Sequence, residues 1–126
     1  MTDSSLSDKA KKLLDELAKA LSSLESQDDG KGNLKFDHEQ VSPFVEPLLE
    51  AVGLKGWKFT VWMWHTSFKW EKLPAPVNII PICNISDSAR SEPGGAFKYG
   101  VMRRTDGKVT VVPRLAAIFA VPPISS

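Results

Sequence analysis

Two histidines and one cysteine are the side chains of this 126-residue chain with the most direct claim on chemistry at neutral pH. Cys83 is a nucleophile only as a thiolate and so needs a base. His65 is the candidate if the fold sets it across a strand pair from the thiol, with Asp87 or Asn84 orienting the imidazole. Yet Cys83 closes the run Ile79-Ile80-Pro81-Ile82-Cys83, and a free thiol in such surroundings behaves as a small buried hydrophobe, which is the favoured reading. His38 and His65 form no zinc-ligand spacing with the single cysteine, so no metal is expected. Asp37, Glu39, Asp87 and Glu92 show no spacing that implies opposed carboxylates. Glu92-Pro93-Gly94-Gly95 lacks the glycine spacing and Lys-Ser/Thr pair of a phosphate-cradling loop. No cofactor is expected, and the sequence leaves open whether the chain is an enzyme.

Aromatic side chains make the second claim. Trp57, Trp62, Trp64 and Trp70 fall close together, and Trp62, Trp64, Phe68 and Trp70 share one parity, so a continuous strand aligns their rings on one face. Such rings stack on bases, sugars or partner side chains, and Arg103 and Arg104 supply cations for anionic groups. Burial of those rings in the core is the plainer reading. However, two short helices cover only one sheet face, which leaves aromatic surface for a partner. The expected function is a non-enzymatic binding or assembly module that engages a protein partner or a second copy through exposed sheet aromatics. The alternative is a small enzyme or ligand-binding protein with a Trp-lined pocket and His65 as acid–base.

Composition narrows the partners. Sixteen basic against fifteen acidic residues leave a net charge of +1, which provides no global field for phosphate backbones or anionic lipid, so a nucleic-acid role would need a local patch. One cysteine excludes an internal disulfide and fits a reducing compartment. The first thirty residues hold no apolar run suited to a signal peptide, and no stretch approaches the length of a membrane span. A cytoplasmic location is expected. Acidic residues dilute the basic face of the first helix, which argues against a membrane-surface role.

The elements that must position these residues are readable from periodicity. Ala10, Leu13, Leu14, Leu17, Leu21 and Leu24 recur at helical spacing over residues 8–24, with Ser7 as N-cap. A Gly- and Asp-rich loop covers residues 27–33. A second helix, short or kinked because of Pro47, is expected over residues 37–52 and is ended by Gly53. Residues 57–66 read as a strand apolar on both faces, and residues 77–85 as another, placed by Pro81 at a sheet edge or a bulge. Asp106-Gly107 predicts a tight hairpin setting Val101 near Val112 and Met102 near Val111. Residues 114–121 are expected to be a strand. Together these give a single α+β domain over residues 1–126: one or two N-terminal amphipathic helices (residues 8–53) on a four- to five-stranded, mostly antiparallel sheet (residues 57–121), with loose ends at 1–6 and 122–126.

Overall fold

A computed structural model describes residues 2–70, 76–105 and 108–123. Its two helices start where capping chemistry places them. The Ser7 hydroxyl accepts from the Ala10 N–H and opens α1 (Asp8–Ala20), which tightens into a 3₁₀ turn at Leu21–Ser23. Asp37 accepts from the Gln40 N–H and opens α2 (His38–Ala51). Pro43 and Pro47 sit inside α2 on its exposed side, one turn apart, so the carbonyls they leave without helical partners face water rather than the core. The helix expected over residues 37–52 is thus present, with 14 residues.

The larger sheet has seven strands: β1 (Thr2–Ser5), β2 (Ser26–Asp28), β3 (Leu34–Phe36), β4 (Lys58–Trp64), β6 (Val77–Cys83), β9 (Val101–Thr105) and β11 (Leu115–Val121). They lie in the order β1-β9-β6-β11-β4-β3-β2, every neighbour antiparallel. A second sheet of four short strands, β5 (Phe68–Trp70), β7 (Arg90–Glu92), β8 (Gly95–Ala96) and β10 (Val109–Val112), has the order β5-β10-β7-β8. The α+β class stands, but with eleven strands in two sheets rather than four or five in one.

At the centre of the large sheet, β11 is buried on both faces. Ala116, Ile118 and Ala120 join a core with Leu14, Leu17, Val45 and Leu48 of the helices, while Leu115, Ala117 and Phe119 join a core with Phe97 and Val111 on the side of the small sheet. The strand beside it follows the same rule: Phe59, Val61 and Met63 of β4 point to the helices, and Trp62 and Trp64 point the other way. The aromatic surface expected to await a partner is thus covered largely from within the chain.

Other expectations are corrected by tertiary pairing. The N-terminus is not loose, because β1 pairs with β9 from Thr2↔Arg104 to Ser5↔Val101. The loop over residues 27–33 starts within β2 and forms the tip of the β2–β3 hairpin. Pro81 lies in an interior strand, at the point where its register with β11 shifts between Ala117↔Pro81 and Ala116↔Cys83, so its missing N–H falls at a bulge. Asp106 and Gly107 lie outside the described residues, but the hairpin they predicted is not formed. Both edges of β9 are taken by β1 and β6, and both edges of β10 by β5 and β7.

Arg103 fastens the layers together. It is 5% exposed, and its five N–H groups make five hydrogen bonds: Nε and Nη2 to the Asp3 carboxylate (2.8 and 3.1 Å), Nη1 to Ser91 Oγ and the Gly95 carbonyl (3.1 and 2.6 Å), and Nη2 to the Ala96 carbonyl (3.1 Å). Its guanidinium also lies 5.1 Å from the Phe97 ring. Hydrogen bonding to Arg103 is the main reason the Asp3 carboxyl is held below the usual carboxylate range.

Two measurements check this account. Phe119→Ala is expected to cost roughly 3–5 kcal/mol and Ile118→Ala roughly 2–5 kcal/mol in denaturant unfolding, since each empties one of the two cores. A cost below about 1 kcal/mol for Phe119→Ala would mean that the small sheet does not close its face. Because the Asp3 pKa is lowered on folding, its contribution is present above the unfolded value near 4 and is lost as pH falls through the lowered folded value. The Tm difference between wild type and Asp3→Asn should therefore shrink on acidification below about pH 4; a difference that grew there would contradict the pairing.

Candidate functional site

The residues with sequence-based claims on function do not form one surface. Trp62 and Trp64 stack at 4.7 Å between ring centroids, Trp64 and Phe68 at 4.8 Å, and Phe119 meets Trp64 edge-on at 5.8 Å. Trp64 is 2% exposed, which corrects its expected exposure: β4 presents its second face to the small sheet. Trp62 and Phe68 are half-buried against the same core, and the Lys35 ammonium lies 6.0 Å from the Trp62 ring. Trp70 ends β5, and its side chain lies outside the described residues. Arg103 has every donor committed internally. Arg104 is exposed, with its guanidinium 6.0 Å from Trp57, away from the stacked rings.

The nucleophile trio is likewise dispersed. Ala116 of β11 pairs with Met63 on one side and Cys83 on the other, so Cys83 stands about 9.5 Å, or two strand spacings, from β4. His65 lies beyond the end of β4, exposed, with its backbone N–H donating to Asn33 Oδ1 at 2.8 Å. Asp87 is exposed in the loop after β6. Burial pushes the Cys83 thiol above its ordinary pKa, the opposite of what a reactive thiolate needs. Among the described residues no three His, Cys, Asp or Glu side chains could hold a metal ion, and no helix is long and apolar enough to cross a membrane.

A different set of residues is brought together at the start of β4. Gly53, at φ 81°, follows α2 as the Leu54 N–H reaches back to the Leu49 carbonyl at 2.7 Å. Gly56, at φ 85°, turns the chain again, and the Trp57 N–H bonds the Leu54 carbonyl at 3.1 Å. The chain thus folds back and brings the start of β4 beside α2. Between them runs a groove of about 1000 Å³. One wall is His38, Pro43, Glu46, Pro47 and Glu50 of α2, and the other is Lys55 followed by Trp57, Lys58, Phe59 and Thr60. The His38 imidazole stacks on Phe59 at 4.7 Å and 25°.

Neighbouring hollows are smaller. One of about 440 Å³ below the β2–β3 hairpin shares His38 with the groove, and one of about 540 Å³ lies against the saturated Arg103–Asp3 pair. Sequence reasoning had passed over this groove. Its signals were the polar side of α2, which carries Glu39, Glu46 and Glu50 and no basic residue, and the glycine pair around Leu54 and Lys55. Among the described residues the one exposed large hydrophobic side chain is Tyr99, whose hydroxyl is tied to Asp15 of α1.

Comparison with protein families, with characterised proteins and with solved structures finds no match to this chain.

Cys83 gives a direct check on the dispersed trio. Its modification by a small disulfide reagent at pH 7 should be slower than in the urea-unfolded chain, and should accelerate only on the alkaline side of an ordinary thiol. Modification as fast in the folded as in the unfolded protein would show a thiol that is neither shielded nor raised.

Proposed function

We propose that the protein is a non-catalytic binding module whose working surface is the groove between α2 and the first half of β4. The observation that carries this reading is the convergence, on one open concavity, of two aromatic side chains, Trp57 and Phe59, with four exposed charges: Glu46 and Glu50 of α2, and Lys55 and Lys58 at the start of β4. An apolar floor with a few placed polar groups is the usual make-up of a binding site. The two acidic and two basic side chains cancel, so the groove suits a protein segment rather than a polyanion. An aromatic side chain remains the source of binding surface, but it is the half-buried Trp57, with Phe59 buried in the floor. The single free cysteine supports a reducing compartment, and we place the protein in the cytoplasm.

A small-molecule site draws on the same groove, whose volume of about 1000 Å³ is at the upper end for such pockets. Peptide-display and fragment screens against the folded protein separate the two readings. Selected peptides should shift the amide resonances of residues 55–60 and lose about tenfold or more in affinity for Trp57→Ala, the effect of removing a central aromatic contact. Ligands that bind Trp57→Ala as well as wild type, or that map to another surface, would defeat the proposal.

A further inference from the structure

Resting on that reading, we infer that the occupant of the groove is an extended segment of a partner protein that adds as a strand to the outer edge of β4, with alternating large apolar and acidic side chains. The groove touches Trp57, Lys58, Phe59 and Thr60 in succession. Consecutive residues of a strand point to opposite faces, so a hollow that meets all four runs along the strand's edge rather than over one face.

That edge is open. β11 pairs with β4 along its whole length, from Leu115↔Trp64 to Val121↔Lys58. On the other side β3 pairs only at Lys35↔Trp62 and Leu34↔Met63 before Asp37 caps α2 and the chain leaves the sheet. Residues 58–60 therefore have, among the described residues, no strand on their outer side. Backbone groups alternate sides with a period of two, so at least one of these three residues turns its N–H and C=O to the open side. They offer one donor and one acceptor to an incoming backbone, as strand-adding recognition requires.

The flanking side chains set the character of the ligand. On the helix face, an added strand meets Trp57, Phe59, Pro43 and Pro47, which calls for a large apolar residue. On the opposite face its neighbour is the exposed Lys58, and no residue of β4 is acidic, so the ligand position beside Lys58 favours Glu or Asp. A second copy pairing edge to edge about Phe59 would bring two Lys58 side chains to diagonal positions on one face, and like charges disfavour it.

The test uses the intact protein with the selected peptides and a synthetic peptide about seven residues long that alternates Phe or Val with Glu, together with its Lys-for-Glu counterpart. In the complex, exchange of the outward-facing amides among residues 58–60 should slow about tenfold or more. N-methylation of the peptide at alternate positions should weaken binding roughly tenfold, and at the intervening positions hardly at all, because only one parity bonds β4. Lys58→Glu, an exposed substitution, should reverse the preference from the Glu to the Lys peptide. Binding in the groove with unchanged exchange at residues 58–60 and no alternation would overturn strand addition while leaving the binding module in place. Equal binding of the two peptides to wild type would overturn the acidic preference. Protection of residues 58–60 in a dimer of the protein alone would assign the edge to a second copy and overturn the inference. Failure of every selected ligand to shift residues 55–60 would remove both proposals.

Discussion

The organising constraint is the burial of β11 on both faces. Six successive residues, Leu115 to Ala120, are buried, and none carries a polar side chain. A strand of that kind is stable only between two covering layers, because exposing either row would forgo roughly 1.5–3 kcal/mol for each large apolar side chain. The helices supply one cover and the small sheet the other. The same requirement passes to β6, where Ile80 and Ile82 face the helices and Val77 and Ile79 the small sheet, and to β4 with its two-faced aromatic row.

Covering a seven-stranded sheet with four short strands leaves the second layer poorly self-sustaining, since such strands bury little area of their own. Arg103 addresses this by reaching from β9 to the backbone of β8 and the Ser91 hydroxyl of β7, while Asp3 of β1 supplies the counter-charge. Burying a guanidinium is tolerable only when every donor is satisfied and a carboxylate is in contact, and both conditions hold here. The N-terminal strand, wholly exposed and polar, is therefore held by the cation it neutralises as well as by its ladder with β9.

These relations explain which parts of the fold could be read from the chain. α1 and α2 were legible because an apolar stripe, and for α1 the cap at Ser7, are local signals. β4, β6 and β11 were legible as apolar runs, and Pro81 correctly marked an irregular place in its ladder. β1, β2, β7 and β8 are two to four residues long and lack apolar alternation, and β5, although it alternates, is only three residues long; only tertiary partners make them strands. The hairpin at Asp106-Gly107 failed for a related reason. Turn chemistry reports the local backbone, whereas the sheet each flanking strand joins is decided by where its apolar face is buried. The two-faced β4 was read as a sign of an outside partner because the inner cover is scattered over residues 68–112.

The candidate site was illegible because it arises from a mismatch of lengths rather than from a motif. β3 is three residues long and β4 seven, and the chain leaves β3 for α2 before the lower part of β4 is paired. No residue type announces such a mismatch. An open edge is ordinarily a hazard, and a lysine beside it is a common guard against copies of the protein joining edge to edge. Lys58 occupies that position. The charge that discourages self-pairing also discriminates among foreign strands, since it penalises a basic side chain opposite it and favours an acidic one. Protection from self-association and selection of a ligand thus follow from one side chain, and the edge can stay open without drawing in a second copy.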